Sequence, residues 1–415
     1  MILKMKKPEL LAPAGSFEKA KVAFMYGADA VYCGTASLSL RSRAEVDDND
    51  LEKTIIYAHS IGKKVYAALN IYAWDSNYEE IEKQVKMLDK VHVDAIIASD
   101  GGVIQKIREI APNIDIHIST QANVLSYHSA KFWYDNGAKR VILGREAGKE
   151  QIEEIMKNKP EDLEVEMFIH GALCWAYSGR CFLSQYLSCR SANLGDCSQS
   201  CRWAYNLYLE EKNNQGNLMP VETDEKGTYI LSSKDLCLIK EIPQIIEMGI
   251  DSLKIEGRLK TEYYLASVVN AYRNAIDDYM KNPDEYDHTK YLNELEKVKT
   301  RGLTEFYFNN PNNKDFQEYE GKQYNPNFEF GGKILEDKEK DIVLVEIKNK
   351  LSVGDSFELL VPNQITPEKF VIEKLYDEET NEEIPTINPG KLGQKVKMLI
   401  PFNVKQGWIL RRKKQ

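Results

Sequence analysis

The sequence predicts an α/β protein built on a (β/α)8 TIM-like barrel, followed by a small C-terminal β-barrel domain. In the first part of the chain, short β-branched runs alternate with amphipathic helical segments. This alternation breaks once, at a cysteine-rich stretch. From about residue 325 onward only short alternating runs remain, separated by Gly, Pro and Asn turns. The chain has 415 residues, which is longer than a domain with a single hydrophobic core normally is. This length fits a barrel with a smaller second domain.

Eight apolar runs predict the barrel strands. They span residues 9–12, 30–33, 64–69, 95–98, 115–120, 140–143, 164–169 and 252–255. The amphipathic stretches between them include residues 16–27 and 50–62, and each ends in a glycine that suits the left-handed position after a helix. Eight parallel strands with intervening helices favour a closed barrel, and an open doubly wound sheet is the alternative.

The one break in the pattern is an insertion at residues 171–250, between strands seven and eight. Loops that follow barrel strands form the catalytic face, so we expect this insertion to lie over that face. The predicted domains are therefore a barrel at 1–320 with a cysteine-rich insertion, and a β-barrel domain at 325–415.

Composition excludes some classes of protein. Hydrophobic residues make up 43% and charged residues 29%, which is typical of a globular chain and not of a disordered one. No apolar run approaches the roughly 20 residues of a membrane span, and residues 1–15 contain no signal-peptide core, so we expect a cytoplasmic protein without membrane contact. A net charge of -9 disfavours a protein that binds nucleic acid through a generally basic surface, but it is compatible with a local basic patch.

Cysteine is the most informative residue type. Five of the seven cysteines fall between positions 174 and 201, and the odd number without an export signal favours metal or cluster ligation over disulfides. An iron-sulfur cluster typically takes four thiolates. The five candidates for those four places are Cys174, Cys181, Cys197, Cys201 and Cys237. A zinc site usually takes cysteines in closely spaced pairs, and only Cys197 and Cys201 are so spaced. The third alternative is that the cysteines are reduced and structural. We expect Cys33 and Cys189 to be reduced bystanders.

Polar residues follow the predicted strands at the end where a barrel places its catalytic groups. They are Asn70, Gln121, Glu146, His170 and Glu256. We take Glu146, His170 and Glu256 as candidate catalytic residues, while Asn70 and Gln121 are candidate substrate contacts. The same face carries six candidate cations, which are Arg41, Arg43, Arg145, Arg180, Lys254 and Arg258. Such cations would bind a dianionic small molecule or an RNA phosphate, although a surface ion pair is an equally common role.

A family resemblance rests on the stretch EMFIHGALCWAYSGRCFLS at residues 166–184. It resembles the signature of peptidase family U32. Further stretches that agree are LLAPAG, SLRSRAE, STQANV, ILGRE, RSANLGDCSQSCRW, SSKDL and DSLKIEGR. The resemblance covers nearly the whole chain, including the C-terminal β-domain.

The resemblance implies more than one activity. The family was named for collagenase-like proteases, yet bacterial members hydroxylate a tRNA wobble uridine, a ribosomal RNA cytidine and ubiquinone precursors. This chain looks most similar to the branch that acts in 5-hydroxylation of the wobble uridine. That branch implies prephenate as co-substrate and the tRNA anticodon loop as partner. Some relatives work as heterodimers, which implies a U32-family partner subunit.

The resemblance also implies a 4Fe-4S cluster. In one relative the cluster ligands match Cys174, Cys181, Cys197 and Cys237, and we adopt this set. Another relative uses a close pair that resembles Cys197 and Cys201, so Cys201 is the alternate fourth ligand.

A U32 peptidase acting on collagen or other peptides is the alternative function. A serine or cysteine protease needs a nucleophile and a histidine base. The sequence contains no HExxH zinc motif and no GxSxG elbow, and we expect His117, in the middle of a strand, to lie in the core. For an RNA base, stacking candidates are Tyr32, Trp74, Trp175, Tyr177 and Trp203.

Overall fold

A computed structural model describes most of the chain. The described residues are 6–35, 38–39, 46–174, 176–203, 208–209, 215–216, 219–220, 233–310, 327–390 and 393–414. The chain divides into two compact units, of which the first comprises residues 1–17, 29–259 and 300–324. The second comprises residues 18–28, 260–299 and 325–415. The predicted domain boundary between 320 and 325 lies outside the described residues.

The first unit contains the predicted barrel. Its strands are β1 (Glu9–Pro13), β2 (Ala30–Gly34), β3 (Lys64–Ala68), β4 (Ala95–Ala98), β5 (Asp115–Ile118), β6 (Arg140–Ile142), β7 (Glu164–Ala172), β8 (Tyr208–Leu209), β9 (Met219–Pro220), β10 (Asp235–Cys237), β11 (Ser252–Ile255) and β12 (Leu303–Thr304). Strands β1 to β7 pair in order as parallel neighbours, and β11 pairs in parallel with both β7 and β1. The barrel is therefore closed, which confirms the prediction over an open sheet.

Helices alternate with the barrel strands along the chain. They are α1 (Phe17–Met25), α2 (Asp48–Ser60), α3 (Tyr78–Lys90), α4 (Gly101–Ile110), α5 (Tyr127–Asp135), α6 (Lys149–Asn158), α7 (Leu183–Ser188), α8 (Ile242–Glu247), α9 (Glu262–Lys281) and α10 (Thr289–Leu295). Side-chain caps start four of the described helices, α2, α4, α5 and α9. At α2, for example, Asp47 accepts a hydrogen bond from the backbone N–H of Asp50. No described helix is long and apolar enough to span a bilayer.

The barrel strands read as continuous apolar runs because both of their faces are buried. All residues of β2 and β4 are buried. The barrel interior also encloses charge. Glu166 on β7 is fully buried and accepts hydrogen bonds from Arg140 at 2.9 Å and from Lys254 at 2.8 Å. Arg140 also donates to Glu9 across the interior at 2.7 Å. The paired charges join β1, β6, β7 and β11 beneath the barrel mouth.

The insertion after β7 is described in part. Strand β10 pairs antiparallel to β7, and β12 pairs parallel to β10, which extends the barrel sheet beyond the eight strands. The cysteine segment, defined here as residues 176–203, contains α7 and three single-turn 3-10 helices. Most of the residues between 204 and 232 lie outside the described part of the chain.

The second unit contains an all-antiparallel sheet, as predicted for the C-terminal β-domain. Its strands are β13 (Phe328–Ile334), β14 (Asp341–Ile347), β15 (Leu351–Ser352), β16 (Ser356–Leu360), β17 (Glu368–Val371), β18 (Leu375–Asp377), β19 (Glu383–Ile384), β20 (Thr386–Ile387), β21 (Lys395–Ile400) and β22 (Ile409–Lys413). Eight of these pair in the order β17-β16-β22-β13-β14-β21-β18-β19. Alternate residues of β14 and β21 are buried in the core, which is the pattern of a sheet with one covered face.

Candidate active site at the barrel mouth

A cavity of about 180 Å³ lies in the first unit, where the barrel strands end. That volume is roughly ten times the space one water needs, which is enough for small-molecule binding. Its polar walls come from residues that follow β3, β5, β6 and β11 in the sequence, as the position of catalytic groups in such barrels predicts. Among the predicted site residues, the cavity brings together Asn70, Gln121, Arg145, Glu146, Lys254, Glu256, Arg258, Cys174, Cys181 and Cys197.

Cys201 is the fourth cysteine that lines this cavity. The pKa of Cys201 is raised to about 11, mainly by burial, and the other three thiols of the cavity add to that rise. The sulfur atoms of Cys174, Cys181 and Cys197 therefore each lie near enough to Cys201 to act on it. The backbone N–H of Gln199 also donates to Cys197 Sγ at 3.4 Å.

The spacing of the thiols bears on the kind of group that they would hold. No set of three His, Cys, Asp or Glu side chains among the described residues is placed to bind a single metal ion. A tetrahedral zinc would need its thiolates closer together than a cubane cluster does. Four soft thiol donors line one cavity, and thiolates are the ligands of a 4Fe-4S cluster, so the residues present fit such a cluster.

Glu146 holds the turn between Cys174 and Cys181. Its carboxylate accepts a hydrogen bond from the backbone N–H of Ser178 at 2.6 Å and another from Ser178 Oγ at 2.8 Å. Ser178 has a φ of 44°, in the left-handed region that a residue other than glycine rarely adopts. Both Glu146 oxygens therefore hold a turn that is unfavourable by itself.

Further polar contacts fix the cysteine segment to the barrel loops. Arg180 donates from Nε to Tyr72 Oη at 2.8 Å and from Nη2 to the Gln121 carbonyl at 3.0 Å. The backbone N–H of Cys181 donates to Asn193 Oδ1 at 3.1 Å. Arg202 donates to the carbonyl of Leu173 at 2.9 Å, just before Cys174. These contacts order the positions of the cysteines relative to the cavity.

Asn70 and Gln121 form a polar pair on the cavity wall. Asn70 Nδ2 donates to Gln121 Oε1 at 3.0 Å and to Ser119 Oγ at 3.2 Å. Gln121 is buried, and its Nε2 has no hydrogen-bond partner among the described residues. A buried donor without a partner costs free energy, and a bound ligand with a carbonyl oxygen would remove that cost.

Three cations and three aromatic rings line the cavity. The guanidinium of Arg145 lies 4.0 Å from the centre of the Phe168 ring, and the ammonium of Lys254 lies 4.4 Å from that of Tyr32. Arg258 is buried and donates to Ser39 Oγ at 3.2 Å. The stacked and hydrogen-bonded cations are held in place before any ligand binds.

The buried charges beneath the cavity set the state of Lys254. Burial lowers the pKa of the Lys254 ammonium, while Glu166 opposes that shift. For Glu166, burial opposes ionisation, but the pKa of the carboxyl is nevertheless lowered because Lys254 and Arg140 outweigh it. Glu166 thus limits the fall in the pKa of Lys254 that burial causes.

Several predicted residues lie elsewhere. His170 is buried within β7, and Cys237 lies opposite it on β10; neither is among the residues that line the cavity. Arg180 is exposed on the cysteine segment and bonded to the loops described above. Arg41 and Arg43, and also Trp175, lie outside the described residues. His117 is buried, as expected of a core residue, and burial lowers its pKa.

The sequence did not predict some of the residues that line the cavity or lie beside it. Phe306 lines the cavity from the segment after β12, where no motif marks it. Ser178 and Phe168 both lie in the stretch that carries the family resemblance, so their position in that motif was the available signal. Phe182 directly precedes α7 and Tyr186 lies within it, and both side chains are strongly exposed.

Comparison with known proteins identifies the family. The model of peptidase family U32 matches residues 15–318, and that of the peptidase family U32 C-terminal domain matches residues 326–411. The tRNA hydroxylation protein P of Escherichia coli (strain K12) is 38% identical over 98% of this chain and 96% of its own length. The tRNA hydroxylation protein P1 of Bacillus subtilis (strain 168) is 40% identical over 91% of this chain and 89% of its own length.

A relative with a different kind of name is equally similar. An uncharacterized protease of Methanocaldococcus jannaschii is 41% identical, over 84% of this chain and 85% of its own length. The two family models together cover both the barrel and the antiparallel sheet. On this coverage and identity, the chain belongs to peptidase family U32.

Proposed function

We propose that this protein hydroxylates C5 of the wobble uridine in tRNA, with prephenate as co-substrate and a 4Fe-4S cluster held by Cys174, Cys181, Cys197 and Cys201. The observation that carries the proposal is that these four cysteines line the same cavity as the polar residues that follow the barrel strands. Relatives named for tRNA hydroxylation, similar over nearly their full length, support RNA as the substrate.

The choice of Cys201 over Cys237 as fourth ligand rests on position. Cys201 lines the cavity with the other three thiols, and its pKa responds to all of them. Cys237 is buried on β10, where its backbone pairs with that of His170. A cluster held by the four thiols that line the cavity would lie directly beside a ligand bound there.

The cavity has the groups that a uracil base needs. An anticodon loop is single-stranded, so its base enters a pocket without opening a duplex. Gln121 Nε2 is a buried donor for a uracil carbonyl oxygen, and Asn70 holds the Gln121 amide in place. Tyr32 and Phe168 supply aromatic faces.

The same cavity offers cations to a carboxylate co-substrate. Prephenate carries two carboxylates, and arginine is the residue that binds a carboxylate with two parallel hydrogen bonds. Arg145 and Arg258 line the cavity together with Lys254. We assign the co-substrate to these three residues.

The carboxylates of the site have different roles in the proposal. Hydroxylation at C5 replaces the hydrogen with a hydroxyl group, so a base must accept the C5 proton, while the oxygen donor loses its bond to the transferred oxygen and takes up the two electrons of the oxidation. Glu256 lines the cavity directly after β11 and is our candidate for that base. Glu146 instead positions the cysteine segment through Ser178. His170 supports the backbone around Glu256, since its carbonyl accepts the Glu256 N–H at 2.8 Å.

The cluster, when bound, would transfer electrons or polarise the oxygen donor. The four cysteines hold it, and the barrel residues bind and orient the base and the co-substrate beside it. Phe168, Phe306 and Tyr32 provide apolar walls that exclude water from this space.

Nucleoside analysis of tRNA from a strain that lacks the gene tests the proposal. Restoring the gene should restore 5-hydroxyuridine derivatives, whereas Cys174→Ser and Arg258→Met should not. A matched control is Arg108→Met, which removes a cation from the last turn of α4. Normal modification in the deletion strain would refute the function.

The peptidase alternative is tested on the same preparation. If the pure protein hydrolyses gelatin, and Cys174→Ser and Cys201→Ser leave the rate unchanged, the cavity cysteines are not part of its activity. That outcome, together with unchanged tRNA, would favour the peptidase function. Gelatin left intact by a preparation that restores modified uridine supports the hydroxylation proposal.

A further inference from the structure

We propose that exposed aromatic side chains of the cysteine segment form a stacking platform for the single-stranded nucleotides that flank the target base. We call this set the aromatic rim, and its members are Tyr177, Phe182, Tyr186 and Trp203. The inference rests on the proposed function, because it assumes an RNA loop at the cavity. It adds the surface that would hold the RNA outside the cavity.

The exposure of these residues is concentrated and not scattered. Phe182 and Tyr186 are 81% and 84% exposed, and Tyr177 and Trp203 are 53% and 43% exposed. Five of the twelve large apolar side chains that are exposed among the described residues lie in this one segment, with Leu187 as the fifth. Scattered exposed apolar residues need no explanation, but a cluster of them marks an interaction site.

The local geometry places the rim beside the cavity. Cys181 and Leu183 both line the cavity, and Phe182 between them points away from it, into solvent. The backbone N–H of Tyr186 donates to the Phe182 carbonyl at 2.9 Å, so the two residues are one helical turn apart on one face. Two exposed rings at this spacing are neighbours on one face of the segment, next to residues that line the cavity.

The charge of the segment favours RNA over a second copy of the chain. Residues 176–203 contain three arginines and one aspartate as their charged residues, whereas the whole chain has a net charge of -9. Two copies of an acidic chain repel each other, while arginines attract phosphates. Arg180 is exposed and lies two residues before Phe182. Arg190 pairs with Asp196, which leaves Arg180 and Arg202 as the cations nearest to the rim.

Base stacking on aromatic side chains is the chemistry that suits this surface. Every base has a π-face, so rings next to a cationic path bind single strands with little sequence preference. The target base would enter the cavity while its neighbours stack outside on Phe182 and Tyr186. The rim therefore acts in affinity for the loop and not in recognition of the base that reacts.

Binding of a fluorescein-labelled anticodon stem-loop RNA tests the rim. Anisotropy titrations at one fixed salt concentration compare the anaerobically purified holoprotein with the Phe182→Ala/Tyr186→Ala double variant. We expect the double variant to bind at least about 10-fold more weakly, since removal of a stacking ring typically costs that much or more. A Phe182→Leu/Tyr186→Leu variant, which keeps apolar bulk but has no ring, should lose affinity to a similar extent.

Two controls make the outcome specific. Phe132→Ala removes a ring that is 57% exposed on α5, and it should leave the affinity unchanged within about twofold. Cluster absorbance and thermal unfolding midpoint should match the wild type in every variant, because side chains this exposed contribute little to the core.

The results separate this inference from the proposed function. If the wild type binds the RNA and the double variant binds it equally well, the rim proposal is wrong and the proposed function stands. If the wild type fails to bind any tRNA loop, both are wrong. If the leucine variant binds like the wild type, apolar bulk and not ring stacking holds the RNA, and the stacking proposal is overturned. If the double variant changes the sedimenting mass and not the RNA affinity, the surface is a protein interface and the proposal is likewise overturned.

Discussion

Replacing Glu146 by alanine should release the cluster without disturbing the barrel. The substitution removes two hydrogen bonds from a carboxylate to Ser178, at 2.6 and 2.8 Å. A buried hydrogen bond to a charged group contributes about 1.5–3 kcal/mol; because Glu146 is only half-buried, we take about 1–1.5 kcal/mol for each bond, or about 2–3 kcal/mol for the two. The turn at Ser178, with its φ of 44°, then has nothing to offset its own cost.

The loss acts on the segment that carries the cysteines, so it reduces the fraction of molecules with the thiols in place. A free-energy change of about 2–3 kcal/mol corresponds to roughly 30- to 150-fold weaker retention of the cluster. The assay is the loss of cluster absorbance and of protein-bound iron when an iron chelator is added under anaerobic conditions. Ser178→Ala, which removes only the hydroxyl contact, should give an intermediate effect.

A surface control separates this effect from a general loss of charge. Glu153 lies on α6 and its carboxylate is 3.9 Å from the ammonium of Lys149, a weak exposed pair. Glu153→Ala should therefore keep its cluster like the wild type. If Glu146→Ala also keeps the cluster at the wild-type rate, the reasoning that assigns Glu146 to the cysteine segment is refuted.

Three more predictions concern ligands, buried charge and backbone. Cys201→Ser should abolish stoichiometric iron binding while Cys237→Ser retains it, as measured by iron and sulfide analysis; the reverse result would restore Cys237 as the ligand. Glu166→Gln leaves the buried Lys254 without its counter-charge and should lower the free energy of unfolding by about 3–5 kcal/mol in urea titrations, while Arg140 keeps its ion pairs with Glu9 and Glu164. Because the folded pKa of Glu166 is lowered, this contribution is fully present above the ordinary value of 4.5 and is lost as the pH falls through the folded pKa, so a stability gap that does not shrink in acid would contradict the assignment. Gly171→Ala places a Cβ 2.5 Å from the Glu256 carbonyl oxygen at a φ of 113°, and should destabilise by about 2–4 kcal/mol; a variant as stable as the wild type would show that the close approach is wrong.

The sequence was sufficient for the barrel because its strands are buried on both faces. A short apolar run such as AIIA at β4 is too short for a helix and therefore predicts a buried strand. All eight predicted strands lie where the structure has them, with ends that differ by a few residues. The glycines at 27 and 62, which were expected in the left-handed region, have φ values of 107° and 68°. Local chemistry decides both features, so local sequence predicts them.

The sequence predicted where the candidate site lies in the barrel but not the contacts between its residues. Strand ends meet at one mouth in any such barrel, which placed Asn70, Gln121 and Glu256 correctly in the cavity. The position of His170 outside the cavity lining depends on the antiparallel pairing of β7 with β10, a contact between distant parts of the chain. The role of Glu146 depends equally on a contact with Ser178, in another loop. Spacing along the sequence does not determine such contacts.

The most direct test of the central claim is a reaction of the purified holoprotein with unmodified tRNA. The protein is incubated anaerobically with an anticodon-containing transcript, with and without prephenate, and the digested nucleosides are analysed by mass spectrometry. We predict uridine that has gained one oxygen atom at the wobble position, dependent on prephenate and absent with Cys201→Ser. Wobble uridine that stays unmodified with the wild-type holoprotein, or that is modified equally by Cys201→Ser, would contradict a cluster-dependent hydroxylation at this cavity.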